Sequence, residues 1–126
     1  MASYATGPDL WAKTDYKPAD VDTAQFYDGF AFLPITWLEA LGFCEVGEGH
    51  RFIEGGSRIA IDGELPMNTA GGQLGAGRLH GFGFAHEAVT QLRSQGGARQ
   101  IPGDPKVAVA TSSGGPMGAA LLLARD

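Results

Sequence analysis

The sequence predicts a layered α/β domain, and three observations carry that prediction. Two apolar runs, Lys106-Val107-Ala108-Val109-Ala110 and Ala119 to Ala124, flank a Ser/Gly/Pro turn and read as neighbouring strands buried on both faces. Val21 to Tyr27 carries Val, Thr, Phe and Tyr in loose alternation and reads as a third strand. Two segments of helical period lie between these strands. The resulting order of strand, helix, hairpin, loop, helix, strand, strand is a layered α/β arrangement.

Residues 1–20 contain Pro8 and Pro18, several small residues and no clean period. Proline opposes a continuous helix, so this stretch reads as a flexible or docking arm, and residues 21–126 as the domain. Trp11 and Tyr16 are its candidate anchors on a partner. After the first strand, Pro34 suits the first turn of a helix, where its missing N–H is not needed. Ile35, Leu38 and Leu41 mark that helix's buried stripe, and Gly42 is placed to end it in the left-handed conformation. Arg51 to Glu54 and Arg58 to Ile61 flank Gly55-Gly56-Ser57 as a hairpin candidate. Phe82 to Gln95 is the second helix, with Phe82, Ala85, Val89 and Leu92 as its inner face and Ala88 beside it. Gly96-Gly97 stops it. His86 and Glu87 are expected to face solvent.

Composition narrows the function classes. With 44% hydrophobic and 18% charged residues the chain is globular rather than disordered. A net charge of −5 with scattered Lys and Arg argues against a nucleic-acid surface, which needs clustered basic residues. No apolar run approaches the roughly 20 residues of a membrane span, and no signal pattern opens the chain, so a cytoplasmic protein is expected. The single cysteine, Cys44, rules out an internal disulfide framework. It follows a helix end, where the dipole disfavours a thiolate, and reads as a small buried hydrophobe. No Cys/His cluster has zinc spacing, so no metal site is expected.

The chemistry concentrates between Pro66 and Gly83, where six glycines accompany Asn68 and His80. A Gly-rich turn leading into a helix offers backbone N–H groups to an anion or oxyanion. Asn68-Thr69-Ala70-Gly71-Gly72, followed by Gly77, Gly81 and Gly83, resembles the Asn-x-x-Gly-Gly…Gly-His-Pro-x-Gly loop in the C-terminal half of thiolases. The form Asn-Thr-x-Gly-Gly-Gln-Leu…Gly-Arg-Leu-His-Gly is closer to the non-specific lipid-transfer-like branch, which includes sterol-carrier-type thiolases and steroid side-chain aldolases. Three more segments agree in order. Phe26-Tyr27-Asp28-Gly29-Phe30 stands where thiolases carry Asn-Glu-Ala-Phe, Trp37 to Cys44 resembles the branch's Leu-Glu-x-Leu-Gly-Phe-Cys, and Thr111 to Gly118 resembles the Cys-x-Gly-Gly-Gly-x-Gly loop.

The resemblance implies a thiolase-like C-terminal half, a layered mixed β-sheet with helices that is incomplete beside a full thiolase. One upstream strand and helix are not evident, and the half that carries the nucleophilic cysteine lies outside this sequence. It also implies roles. His80 is the first candidate for a general base or donor, the alternative being a histidine that bonds a loop carbonyl. Tyr27 takes the place of the residue that polarises substrate or water, against the alternative of a core tyrosine. Asn68 either orients a water or thioester oxygen or braces its own loop. Arg78 replaces the Gly-His-Pro histidine. Ser112 falls where thiolases have their second cysteine, and a hydroxyl without an adjacent base is a poor substitute for that acid/base. Gly72, Gly114 and Gly115, with Arg78 and Ser112, are the candidate substrate-binding positions, the glycines through backbone N–H groups.

Two functions stay open. One is a component of a thiolase-like enzyme acting on a lipid or steroid-type acyl-coenzyme A, more in keeping with retro-aldol than thiolytic chemistry given Arg78 and Ser112. It would need no covalently held cofactor, with the coenzyme A thioester as substrate. The other is a non-catalytic lipid-binding, acyl-coenzyme A-binding or assembly module. Under either reading, strands this apolar need cover on both faces. The expected partner is a second copy, an N-terminal thiolase half or an OB-fold zinc-ribbon protein.

Overall fold

The computed structural model describes residues 1–126 throughout. Its centre is a three-stranded sheet of β1 (Thr23–Gln25), β2 (Val107–Ser113) and β3 (Gly118–Ala124), in the order β1-β2-β3. β1 runs parallel to β2, with Ala24 opposite Val109, and β2 pairs antiparallel with β3, with Ala110 opposite Leu121. The sheet is mixed, as the thiolase resemblance implies. Beyond β1, Met67 makes a further parallel bridge to Ala24, so residues 66–68 lie alongside the strand.

Alternation along β2 creates two cores. Val107 and Val109 join Phe26, Trp37, Leu38, Leu41, Ala120 and Leu122 on one face. Ala108 and Ala110 face the other way and pack with Phe84, Ala88, Leu92 and Leu123. Alanines on this second face leave room for a helix to lie close to the sheet. The helices α1 (Ser3–Trp11) and α2 (Leu33–Ala40) cover the first face, and α5 (Phe82–Leu92) the second. Pro34 sits in the first turn of α2, and Gly42 takes φ +75° after its end, both as the sequence predicts.

The structure corrects four expectations. The first twenty residues are no free arm, because α1 packs against both α2 and β3. Pro8 is accommodated inside α1 without ending it, since its carbonyl still accepts the Ala12 N–H. A side chain at Gly7 would meet the Ala40 carbonyl, so glycine permits the close approach of α1 to α2. Trp11 finds its partner within the chain, donating from Nε1 to the Leu41 carbonyl at 3.0 Å.

The predicted hairpin is absent. Gly49–Phe52 forms a short helix, α3, and Ser57–Ile59 a 3₁₀ turn, with Gly55 and Gly56 both at positive φ between them. β3 is an edge strand rather than a buried central one: Ala119, Leu121 and Ala124 are exposed while Ala120 and Leu122 join the core. Finally, the inner face of α5 is rotated from the predicted one. Phe84, Ala88 and Leu92 point at the sheet, whereas Phe82 is 79% exposed.

Candidate active site

The Gly-rich stretch is anchored by Asn68. Beside β1, the chain forms strand-like hydrogen bonds from Ala24 N to Pro66 O and from Asn68 N to Ala24 O. Asn68 then turns at φ +48°, a conformation that asparagine tolerates better than most residues. Its side chain continues the ladder that the backbone has left. Oδ1 accepts the Phe26 N–H at 2.7 Å and Nδ2 donates to the Phe26 carbonyl at 2.9 Å. Both ends of the amide are thereby engaged in bracing the loop.

A short helix the sequence did not reveal, α4 (Gly72–Ala76), follows. The buried carboxylate of Asp28 accepts the N–H of Gln73 at 2.9 Å and that of Leu74 at 3.5 Å. A side chain at Gly72 would strike Asp28 Oδ2, which explains a glycine there. The N-terminus of α4 is thus capped from within by Asp28.

Below the loop lies a buried polar network absent from the sequence reading. Glu87, expected in solvent, has a side chain only 2% exposed and pairs with Arg99 at 3.0 Å. It also accepts from Thr69 Oγ1 at 2.7 Å and Gln91 Nε2 at 2.9 Å. Gln25 reaches the same Thr69 hydroxyl at 3.1 Å. Burial pushes the Glu87 carboxyl upward in pKa, but the hydrogen bonds from Arg99, Gln91 and Thr69 outweigh it and hold the group below its ordinary value. The network ties α5, β1, the loop and the turn at Gly97–Arg99 together. It floors a cavity of about 180 Å³ lined by Gln25, Gly72, Gln73, Phe84, Glu87 and Arg99, among others.

A second cavity, of about 380 Å³, gathers several of the predicted residues. Tyr27, Arg78, Gly114 and Gly115 line it with Gln73 and Phe30. Tyr27 is positioned by its backbone N–H, which donates to Thr111 Oγ1 at 2.8 Å, and by Phe84, whose ring centre lies 5.9 Å away. Gly114 belongs to the turn between β2 and β3. Its N–H closes that turn onto the Met117 carbonyl at 2.9 Å, so it is not free to receive an oxyanion. Trp37 Nε1 holds the same turn from below through the Ser113 carbonyl at 2.9 Å.

Other predicted residues stand apart from this cavity. His80, exposed and at φ +49°, lines neither cavity. Its carbonyl lies 3.5 Å from Ser112 Oγ, and a methyl at Gly81 would lie 2.6 Å from that same hydroxyl. Ser112 therefore packs beneath the His80–Gly81 bend. Gly72 faces the smaller cavity. Cys44 is half-buried, and burial together with the Glu39 carboxylate pushes its thiol up in pKa, against a nucleophilic role. No group of three or more His, Cys, Asp or Glu side chains is arranged to hold a metal, and no helix is long and apolar enough to cross a membrane.

A family model described as thiolase C-terminal domain-like matches residues 2–123. The 17-hydroxy-3-oxo-4-pregnene-20-carboxyl-CoA lyase of Mycobacterium tuberculosis is 41% identical over 116 residues, which cover 92% of this chain and 30% of that protein. The steroid side-chain-cleaving aldolase of Thermomonospora curvata is 39% identical, covering 95% of this chain and 30% of that protein. Among solved structures, the Ltp2-ChsH2(DUF35) aldolase superposes with a TM-score of 0.86 at 37% identity, over 97% of this chain and 31% of that one. The chain thus spans about three tenths of the length of these relatives. It belongs to the thiolase C-terminal domain-like family.

Proposed function

We propose that this chain supplies the C-terminal part of the site of a thiolase-like enzyme that cleaves or forms a carbon–carbon bond in an acyl-coenzyme A thioester. The substrate class is lipid or steroid-type, and retro-aldol cleavage is favoured over thiolysis. The observation that carries the reading is the convergence of Tyr27, Arg78 and the Ser113–Gly115 turn on one cavity. Two relatives of the chain, a lyase and a side-chain-cleaving aldolase, support it.

In this reading Tyr27 moves the proton. A base removes the proton of a β-hydroxyl, the bond between the α and β carbons breaks, and its electron pair passes to the thioester as an enolate. Protonation at the α carbon then completes the reaction. A positioned general acid/base contributes about 10²–10⁴-fold to such a step. Arg78, which lines the cavity, attracts the anionic coenzyme. Asn68, Ser112 and Gly114 act in support, because their polar groups bind the loop and turn in place.

The surface beside α5 favours a partner. Phe82 is 79% exposed, Leu79 63% and Leu121 54%. Leu79 and Phe82 share one open hollow with Ala85 and Val89; contiguous exposed apolar surface marks an interaction site, and we assign this side to the remainder of a thiolase-type subunit, in a homo- or hetero-oligomer. Native mass spectrometry of the protein purified gently from its source tests this. Co-purification with a larger thiolase-like chain, or with a zinc-containing partner, supports the proposal. Recovery of the chain with itself alone favours the second reading, a non-catalytic acyl-coenzyme A-binding or assembly module. The engagement of Asn68 and Gly114 in purely internal hydrogen bonds is the observation on that side.

A further inference from the structure

Gln73 stands at the wall of the Tyr27 cavity. It borders both cavities, and its amide oxygen is buried without a hydrogen-bond partner. With that oxygen enclosed, the amide nitrogen is the end left to meet a ligand. The backbone N–H of Gln73 is fixed at 2.9 Å on Asp28, the immediate chain neighbour of Tyr27.

Gly29 reports how tightly the two side chains meet. A methyl built there would lie 2.5 Å from Tyr27 Cε1 and 2.9 Å from Gln73 Nε2. Gly29 has no positive φ, so its backbone conformation does not demand glycine. The demand comes from the tyrosine ring and the glutamine amide, which share the space above it. Tyr27, Gly29 and Gln73 form one constellation, in which the tyrosine ring and the amide nitrogen both close on the space above Gly29.

We propose that Gln73 is a substrate-binding residue whose Nε2 donates a hydrogen bond to the carbonyl oxygen of the acyl thioester, fixing it beside Tyr27. The inference rests on the acyl-thioester reading above and adds to it the group that recognises the carbonyl. Glutamine suits the task because its Nε2 carries two donors and no titrating proton. The donor strengthens its interaction as negative charge develops on that oxygen.

The test compares butyryl-coenzyme A with S-butyl-coenzyme A, the thioether that lacks only the carbonyl oxygen, in NMR titrations of the 126-residue chain. The wild type is expected to bind the thioester about tenfold more tightly, the worth of one well-made hydrogen bond, with the Gln73 side-chain N–H signals moving only for the thioester. Gln73→Met keeps the length of the side chain and removes the donor, and in it the preference is expected to fall to near unity. A preference retained in Gln73→Met overturns the role of Gln73 and leaves the acyl-thioester reading standing. Equal binding of both probes by the wild type does the same. If the wild type binds neither probe, the inference that Gln73 holds the carbonyl is overturned, and the acyl-thioester reading is decided separately by the native mass spectrometry.

Discussion

Asp28 accepts the backbone N–H of Gln73 at 2.9 Å across 45 residues of sequence, and this single bond sets the Gly-rich loop against the segment that carries Tyr27. The carboxylate behaves as a side-chain cap for α4, although it comes from a distant part of the chain. Asp28→Ala is expected to cost about 1 kcal/mol, the usual worth of a cap, and to free the Gln73 and Leu74 amides. Hydrogen exchange at those two amides measures it: acceleration confined to residues 72–77 is the expected result, and Asp28→Asn, which keeps an acceptor, restores most of the protection.

Glu87 makes a larger demand, because its carboxylate serves Arg99, Gln91 and Thr69 at once. Removing it strands several donors in the interior. Glu87→Ala is expected to destabilise the fold by about 3 kcal/mol, read as a drop in the denaturation midpoint. A loss below about 0.5 kcal/mol, the level of an ordinary surface substitution, would contradict the network described above.

The carboxyl of Glu87 is held below its ordinary pKa, so the sign of its pH dependence follows. Its stabilising contribution is present above the unfolded-state pKa and is lost as pH falls through the lower folded-state value. Tyr4 behaves in the opposite sense. It donates to Glu39 Oε2 at 2.5 Å, and this hydrogen bond, then burial, raise its pKa to about 12. The stabilisation it gives the α1–α2 contact is complete below pH 10 and is lost as pH rises through about 12. Monitoring Trp11 fluorescence during alkaline titration should show α1 loosening in that window, and Tyr4→Phe should abolish the transition.

Gly7 tests the status of the first twenty residues. A methyl there would meet the Ala40 carbonyl, so Gly7→Ala must push α1 away from α2 and is expected to destabilise by about 1–3 kcal/mol, as overpacking does. A thermal midpoint unchanged by Gly7→Ala would return this segment to the status of a loose arm.

Much of this architecture is legible in the residues, and the parts that are not have physical reasons. The strands around Val107–Ala110 and Ala119–Ala124, the start of α2 at Pro34 and its end at Gly42 follow from local chemistry. α5 does not, because apolar residues occur on more than one of its sides: Phe82, Ala85 and Val89 offer as good a stripe as Phe84, Ala88 and Leu92. Only the sheet decides between them. The segment from Arg51 to Ile61 looks like a hairpin because two apolar pairs flank Gly55-Gly56, yet those glycines link α3 to a 3₁₀ turn. The burial of Glu87 depends on Arg99, twelve residues away in a separate turn, which no local pattern reveals. Tyr27 and Arg78, which motif position singles out, line one cavity. Asp28 and Gln73 are not singled out that way, since their meaning lies in contacts across the fold. His80, the most conspicuous polar residue of the loop, stands outside the cavity.

The most direct test of the account separates Tyr27 from His80. A chimera of the Mycobacterium tuberculosis lyase, with its matching segment replaced by this chain, provides the rest of the subunit, and its cleavage of 17-hydroxy-3-oxo-4-pregnene-20-carboxyl-CoA gives kcat/KM. Tyr27→Phe is expected to lower kcat/KM by about 10²-fold or more, the range of a lost proton-transfer group, and His80→Ala to change it by less than about threefold, under 0.7 kcal/mol. A full loss in His80→Ala with Tyr27→Phe near wild type would contradict the role of Tyr27.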